Sequence, residues 1–182
     1  MITIPIKEGY IRTFTGAHFN PLEPDPELID PIDIAHALAL VNRFTGHTHA
    51  PFSVAQHSCL VHDNVSDEHK LWGLMHDASE AYLSDMARPV KIQPEMNFYR
   101  EAEEKLMEAI ASKFDLKLPM PKEVKKIDDT LLHTEIRDFF SVSPNGHKVL
   151  EERLEAWGWR ESKLQFLNRC QRLGIKIEAI VV

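Results

Sequence analysis

The strongest constraint on the fold is the segment at residues 68–85, EHKLWGLMHDASEAYLSD. Its apolar residues recur three and four positions apart: Leu71, Leu74, Met75, Ala78 and Leu83. This spacing predicts one helix with a wide apolar stripe, which lies at the centre of a helical protein. A charged pair, His76-Asp77, stands inside that stripe. Because a buried acid is costly unless it is paired or bound to a cation, this pair is the first candidate for chemistry.

Helical spacing and helix-ending residues recur through the rest of the chain. Helices are predicted from Pro31–Asp33 to Gly46, after Ser53 as N-cap, over 97–115, over 122–140, and from Lys148 to Arg172. Thr15-Gly16 predicts a short hairpin, and 175–182 a terminal strand. The predicted class is therefore all-α, a helical bundle with a small N-terminal β-hairpin. A single domain is expected, with an arm (1–31), a metal-binding helical core (32–140) and a C-terminal helix and tail (141–182).

Composition narrows the partners and the compartment. The chain of 182 residues has 21 Lys and Arg against 28 Asp and Glu, a formal charge of −7. An acidic surface argues against duplex nucleic acid as a partner, since that affinity rests on basic contacts to phosphates. No apolar run approaches the length of a membrane span, and the N-terminus lacks the pattern of a signal peptide. A cytoplasmic protein that binds a small molecule is expected.

Acidic and imidazole groups on three predicted helices can close a metal site. Residues three and four apart share a helical face, so His76, Asp77 and Glu80 can converge. His57 lies on the preceding helix, and Asp128-Asp129 begins the polar face of a later one. Imidazoles and carboxylates suit zinc, manganese or iron. The alternative is structural, because a lone His-Asp pair in a helix is more often a surface dipeptide or a capped core histidine.

Four segments together resemble the HD superfamily of metal-dependent phosphohydrolases: IAHALALVNRFTGHT, FSVAQHS, LMHDASEAYLSDMARPVK and IDDTLLHTEIRDFF. The resemblance covers residues 30–140 and extends to two branches, the bacterial 5′-deoxynucleotidases and the phage dATP triphosphohydrolases. It implies one divalent ion, which could be zinc, manganese, cobalt, iron or magnesium. Its ligands would be His57, His76, Asp77 and Asp128. Asp128 is preferred over Asp129 because it directly follows the apolar Ile127, as the superfamily's aspartate does.

The resemblance also implies roles for residues around the ion. Glu80 matches the catalytic carboxylate, and Asp85 a second acid of the same motif that holds the sugar or a water. Phe44 stands where relatives often carry tryptophan, so base stacking is expected in altered form. The full set of implied substrate contacts is Arg43, Phe44, Pro89 and Lys91. Relatives assemble into dimers or larger rings, which implies a homo-oligomer.

Three functions stay open at this stage. The first is a dATP triphosphohydrolase that releases deoxyadenosine and triphosphate, which the short chain and the NRF and RPVK segments favour. The second is a 5′-nucleotidase that acts on deoxynucleoside monophosphates through the same ligands. The third is a non-catalytic nucleotide-binding module. Glu135, Arg137 and Asp138 are expected to form pairs on a helix surface or between subunits.

Overall fold

The computed structural model describes residues 8–177 and confirms the predicted class, a helical bundle with a small N-terminal hairpin. The strands are β1 (Ile11–Arg12) and β2 (His18–Phe19). The helices are α1 (Pro31–Leu40), α2 (Val54–Asn64), α3 (Lys70–Met75), α4 (Glu80–Leu83), α5 (Arg88–Lys91), α6 (Asn97–Lys113), α7 (Lys122–Phe139) and α8 (Trp159–Arg172). Short 3₁₀ turns occupy Pro26–Leu28, Arg43–Gly46, Asp67–His69 and Pro94–Met96.

The hairpin forms where Thr15-Gly16 predicts it. β1 and β2 are antiparallel, with Ile11 opposite Phe19, and Gly16 turns the chain at a φ of 98° that glycine adopts without strain. Thr15 fastens the hairpin to α1, because its backbone N–H and its hydroxyl donate to Asp33 at 2.6 and 2.8 Å. Phe19 is fully buried, so the hairpin closes one side of the helical core.

Helix α2 holds the centre of the bundle. It contacts α1, α3, α7 and α8. Ser53 caps it as predicted, since its hydroxyl accepts from the backbone N–H of Gln56 at 3.2 Å. Residues 54–59 are all buried, and they include His57 with no exposed surface. The imidazole of His57 therefore lies in the middle of the protein, where it needs hydrogen-bond partners. Within residues 8–177, none of the helices is long and apolar enough to cross a membrane.

Helix α1 ends at Leu40, so the prediction that it continues to Gly46 is wrong. The chain turns extended at Val41 and pairs with the segment before α2. Val54 donates its N–H to the Val41 carbonyl at 3.0 Å, and Arg43 donates to the Phe52 carbonyl at 2.9 Å. These bonds to a later segment replace helical bonds and turn Arg43–Gly46 away from α1.

The predicted continuous helix over 68–85 is interrupted at its charged pair. α3 ends at Met75 and α4 begins at Glu80, and the residues between them bond three positions back. The N–H of Ala78 donates to Met75 at 2.9 Å, and that of Glu80 to Asp77 at 3.0 Å. The His76 ring binds the Gly73 carbonyl at 2.9 Å, a carbonyl that residue 77 would use in a regular α-helix. The tighter turn is typical of functional sites within helices.

The segment 148–158 is irregular, so the prediction that the last helix begins at Lys148 is wrong; α8 begins at Trp159. Side chains of α7 form hydrogen bonds with the backbone of segment 148–158. Arg137 donates to the carbonyls of Leu150 and Glu152 at 2.6 and 2.7 Å, and Asp138 accepts from the Leu154 N–H at 2.9 Å. Asp138 keeps 3% of its side chain exposed, so its pair with Arg137 is not a surface pair. Residues 175–177 form no strand, and the rest of the predicted terminal strand lies outside the described residues.

Candidate metal centre

The four predicted ligands meet where α2, α7 and the α3–α4 turn come together. The Nε2 atom of His57 lies 3.2 Å from Nε2 of His76 and 3.2 Å from Oδ1 of Asp128. Oδ2 of Asp77 lies 3.2 Å from Nε2 of His76 and 3.6 Å from Nε2 of His57. His57, His76 and Asp128 each offer a ligand atom within 4.8 Å of the others, so this cluster could hold a metal ion.

The separations between these atoms fit one ion. Two ligand atoms that are each about 2.1 Å from a metal stand roughly 3.0 Å apart at an octahedral angle and roughly 3.4 Å apart at a tetrahedral one. Contacts of 3.2 Å among His57, His76 and Asp128 fall in that interval. Two imidazoles and two carboxylates are also a donor set that divalent ions take in proteins.

Both imidazoles are held so that Nε2 faces the cluster. His57 presents Nδ1 to Oε1 of Glu135 at 2.5 Å, and His76 presents Nδ1 to the Gly73 carbonyl at 2.9 Å. A metal-binding histidine commonly donates its second ring N–H to a carboxylate or a carbonyl, which fixes its tautomer. The two rings of this cluster therefore carry the orientation that ligands need.

Glu135 is buried with no exposed side-chain surface, so the expectation of a helix-surface or intersubunit pair is wrong. One carboxylate oxygen contacts His57, and the other accepts from Nε of Arg43 at 2.9 Å. The guanidinium of Arg43 also lies 3.6 Å from Oδ2 of Asp77. Glu135 thus links the predicted metal ligands to the predicted substrate arginine.

The carboxylates of Asp77, Asp128 and Glu135 contact the two imidazoles, and their negative charges attract cations. Burial opposes the charged form of Asp77 and Asp128, but contact with the imidazoles of His76 and His57 holds the pKa of both acids below the usual range. Burial and Arg43 disfavour a charged His57, yet Glu135 and Asp128 raise its pKa to about 9. These contacts favour a positive charge at the centre of the cluster, which a proton or a metal ion can supply.

A cavity of about 460 Å³ opens beside the cluster. It brings together most of the predicted site residues: Arg43, Phe44, Asp77, Glu80, Asp85, Pro89 and Asp128. Glu80 is 8% exposed, and its Oε2 has no hydrogen-bond partner. Burial, with Asp77 and Asp85 nearby, raises the pKa of Glu80 to about 10. A buried carboxyl oxygen without a protein partner calls for an explanation, and a catalytic role or a bound ligand in the adjoining cavity is one.

Two aromatic rings form part of the same cavity. Phe44 meets Phe140 edge to face, with ring centroids 5.2 Å apart, and the Arg43 guanidinium lies 5.4 Å from the Phe44 ring. Phe44 and Thr45 adopt left-handed φ values of 56° and 54°, which are uncommon for side chains of this size. Such strain tends to be kept where function requires it.

Lys91 is the one predicted substrate contact that does not line this cavity. Its Nζ binds Oε1 of Glu103 at 2.6 Å, and it lines another cavity of about 330 Å³, which is also lined by His76 and Asp77. Lys125 lines the main cavity instead. Its Nζ lies 2.8 Å from Oδ2 of Asp128 and 2.8 Å from Oδ1 of Asp129.

Comparison with known proteins identifies relatives that share 34–39% sequence identity with this chain. No protein-family model matches it. The uncharacterized protein YfdR of Escherichia coli (strain K12) is 39% identical over 133 residues, which cover 71% of this chain and 72% of that protein. The chain belongs to the YfdR family. The uncharacterized protein RCAP_rcc00048 of Rhodobacter capsulatus is 34% identical over 130 residues, 66% of each chain.

Sequence reasoning missed several residues of this YfdR-family site, among them Arg88, Lys125, Glu135 and Phe140. Glu135 stands two helical turns after Asp128, a spacing that puts both on one face of α7 and could have indicated it. Lys125 stands three residues before Asp128 and could have been found in the same way. Phe140 follows another phenylalanine at the end of α7, and nothing in the pattern separates the ring that lines the cavity from the buried one.

Proposed function

We propose that this protein is a metal-dependent phosphohydrolase that acts on a deoxynucleotide, with dATP triphosphohydrolase as the best candidate. The observation that carries the proposal is the convergence of two imidazole nitrogens and two carboxylates beside a cavity whose wall holds an unpartnered glutamate. The resemblance of the same residues to the HD superfamily supports this chemistry.

The ligands would be His57, His76, Asp77 and Asp128, and the mixed set admits zinc, manganese, cobalt, iron or magnesium. Such an ion supplies a Lewis acid for a phosphoryl oxygen and lowers the pKa of a coordinated water. Beside a bound cation Glu80 would be held as a carboxylate, because a neighbouring positive charge favours that form over the neutral acid. Glu80 can then accept a proton from the attacking water at its free Oε2.

Arg43 is suited to neutralise charge that develops on phosphate. Burial works against its charged form, but Glu135, Asp77 and Asp128 raise its pKa above the usual value, so it stays a cation. Glu135 holds its Nε at 2.9 Å, which fixes the guanidinium at the cavity wall. Because the guanidinium is already in position, little reorganisation is needed when negative charge develops on the phosphate.

The other cavity residues are suited to hold a nucleoside. Phe44 and Phe140 offer ring faces and edges to a base, and Pro89 closes the wall next to them. Asp85 lies in the same cavity and can accept from a sugar hydroxyl or a water. The choice of adenine and of the 2′-deoxy sugar rests on the resemblance to the phage enzymes.

A 5′-nucleotidase acting on deoxynucleoside monophosphates is the second candidate. The favouring observation is the pair between Lys91 and Glu103, which neutralises a lysine that the resemblance assigns to phosphate. One of the cations that the resemblance assigns to phosphate is then no longer free, and a monophosphate carries fewer charges to neutralise than a triphosphate.

Chromatographic product analysis tests the proposal. Each dNTP, NTP and dNMP is incubated separately with protein loaded with manganese, cobalt, zinc or magnesium. Deoxyadenosine with triphosphate from dATP establishes the first candidate, and inorganic phosphate from monophosphates establishes the second. The matched control is Glu80→Gln, which removes the proton acceptor but keeps the four ligands. It should lose roughly 10²–10⁴-fold in kcat while its metal content stays at the wild-type level. If metal-loaded protein turns over none of these nucleotides, the function that remains is a non-catalytic nucleotide-binding module.

A further inference from the structure

A basic groove runs along α7 next to the catalytic cavity. The basic groove is a cleft of about 560 Å³. It is lined by Lys122, Lys125, Lys126, Asp129, Thr130, His133, His147 and Lys148. Four residues of α7 outside the cavity, Lys122, Lys126, Asp129 and His133, are spaced three or four apart and share one helical face. The loop after α7 supplies the opposite wall. A cleft of this volume is the size of a small-molecule site.

The cations of the basic groove are available to a ligand. Among the described residues, Lys122, Lys126 and Lys148 form no ion pair with a carboxylate. Asp129, the one acid in the lining, is already bound by Lys125 at 2.8 Å. Three lysines without a carboxylate partner therefore line one cleft of a chain whose formal charge is −7. Like charges repel each other, so this arrangement attracts an anion.

Two histidines strengthen the basic groove. The rings of His133 and His147 stack with centroids 3.7 Å apart and planes inclined by 12°. The stack joins α7 to the loop that follows it, and so links the two walls of the groove. Imidazole N–H groups can donate hydrogen bonds to phosphate oxygens.

Lys125 connects the basic groove to the metal centre, since it lines both cavities. Its Nζ is 2.8 Å from Oδ2 of Asp128, and Oδ1 of that carboxylate is 3.2 Å from Nε2 of His57. An extended anion with one end at the predicted metal ligands would therefore pass Lys125 and enter the groove. The three free lysines line the groove and not the cavity beside the metal ligands, so a lone phosphate at the metal centre would lie outside their cleft.

From this continuity we infer that the basic groove binds the distal phosphates of a polyphosphorylated substrate, and afterwards the inorganic polyphosphate product. The inference rests on the proposed function and deepens it, because it selects nucleoside triphosphates over monophosphates. The reacting phosphate lies at the metal centre, and the outer phosphates contact Lys122, Lys126 and Lys148 with the two histidines.

Calorimetric titration of metal-free protein with inorganic tripolyphosphate tests the basic groove without requiring hydrolysis. The groove variant is Lys122→Ala/Lys126→Ala/Lys148→Ala. The matched control is Lys105→Ala/Lys113→Ala/Lys117→Ala, which removes the same charge from α6 and the loop that follows it. Each exposed ion pair is worth roughly threefold, so the groove variant should bind tripolyphosphate at least about tenfold more weakly than wild type. The control should bind within about threefold of wild type.

Equal tripolyphosphate affinity in the groove variant and the control would overturn the inference. So would displacement of tripolyphosphate by a short single-stranded oligodeoxynucleotide at far lower concentration than by a dNTP. With active protein, the ratio of kcat/KM for dATP to that for dAMP should also fall about tenfold in the groove variant. If wild type hydrolyses no nucleotide, the proposed function fails, while the tripolyphosphate comparison still decides the groove.

Discussion

Replacement of Glu135 by glutamine should disable the metal centre through the tautomer of His57. The carboxylate accepts from two donors, His57 Nδ1 at 2.5 Å and Arg43 Nε at 2.9 Å. Glutamine has one acceptor oxygen, and Arg43 can only donate, so that oxygen is committed to Arg43. The amide NH₂ then faces His57, which must accept at Nδ1 and carry its proton on Nε2. A protonated Nε2 has no lone pair for a metal ion.

The size of the loss follows from the same contacts. Changes at groups that orient a metal-binding histidine typically cost 10–100-fold in metal affinity, so Glu135→Gln should weaken binding of Mn²⁺ or Zn²⁺ by about that factor. Glu135 has no exposed side-chain surface, and a hydrogen bond to a charged group is worth about 1.5–3 kcal/mol. The free energy of unfolding of the metal-free protein should therefore fall by about 2 kcal/mol.

Metal titration calorimetry and urea unfolding measure the two effects. Glu123→Gln is the matched control, because Glu123 lies on the same helix and also contacts a histidine, His69, at 2.5 Å. It keeps 37% of its side chain exposed, so its loss should cost far less stability than the loss of Glu135 and leave metal affinity unchanged. Wild-type metal affinity in Glu135→Gln would refute the role assigned to Glu135.

Three further predictions concern stability, each read from urea unfolding. Ser84 has φ 68° and ψ 157°, a region that glycine tolerates, so Ser84→Gly should raise the free energy of unfolding by about 1 kcal/mol; a loss would contradict the strain. Gly73→Ala should lower it by about 1–3 kcal/mol, because a Cβ would lie 3.0 Å from the His62 backbone; no loss would mean that α2 and α3 yield freely. Burial opposes the charged form of Asp138, but Arg137, the Leu154 N–H and Arg153 lower its pKa from 3.8 to about 2. This lowered pKa contributes about 2 kcal/mol of stability, which is present above about pH 4 and is lost towards pH 2. The excess stability of wild type over Asp138→Asn should therefore shrink across that pH range. A difference that stays constant with pH would contradict this prediction.

Local signals in the sequence were sufficient for elements whose partners are close in the chain. The hairpin at Thr15-Gly16 and the Ser53 cap depend on bonds within a few residues, and the structure confirms both. The four predicted ligands also come together: His57 and Asp128 lie on helices that the hydrophobic pattern identifies, and His76 and Asp77 lie on the turn between α3 and α4.

Features that depend on distant partners were not predictable from local pattern. Glu135 looks like a surface residue of an amphipathic helix, and its two partners stand 78 and 92 positions earlier. The segment 148–158 has helical spacing, but α7 side chains take up its backbone groups. The break at His76-Asp77 follows from side-chain and backbone bonds that helix propensity does not describe.

Anomalous diffraction from crystals grown with Mn²⁺ or Zn²⁺ tests the central claim most directly. The account predicts one strong peak in contact with Nε2 of His57, Nε2 of His76 and the carboxylates of Asp77 and Asp128. The peak should disappear in His76→Ala while the fold is kept. A peak of full occupancy elsewhere, or none between the two imidazoles at saturating metal, would contradict the account.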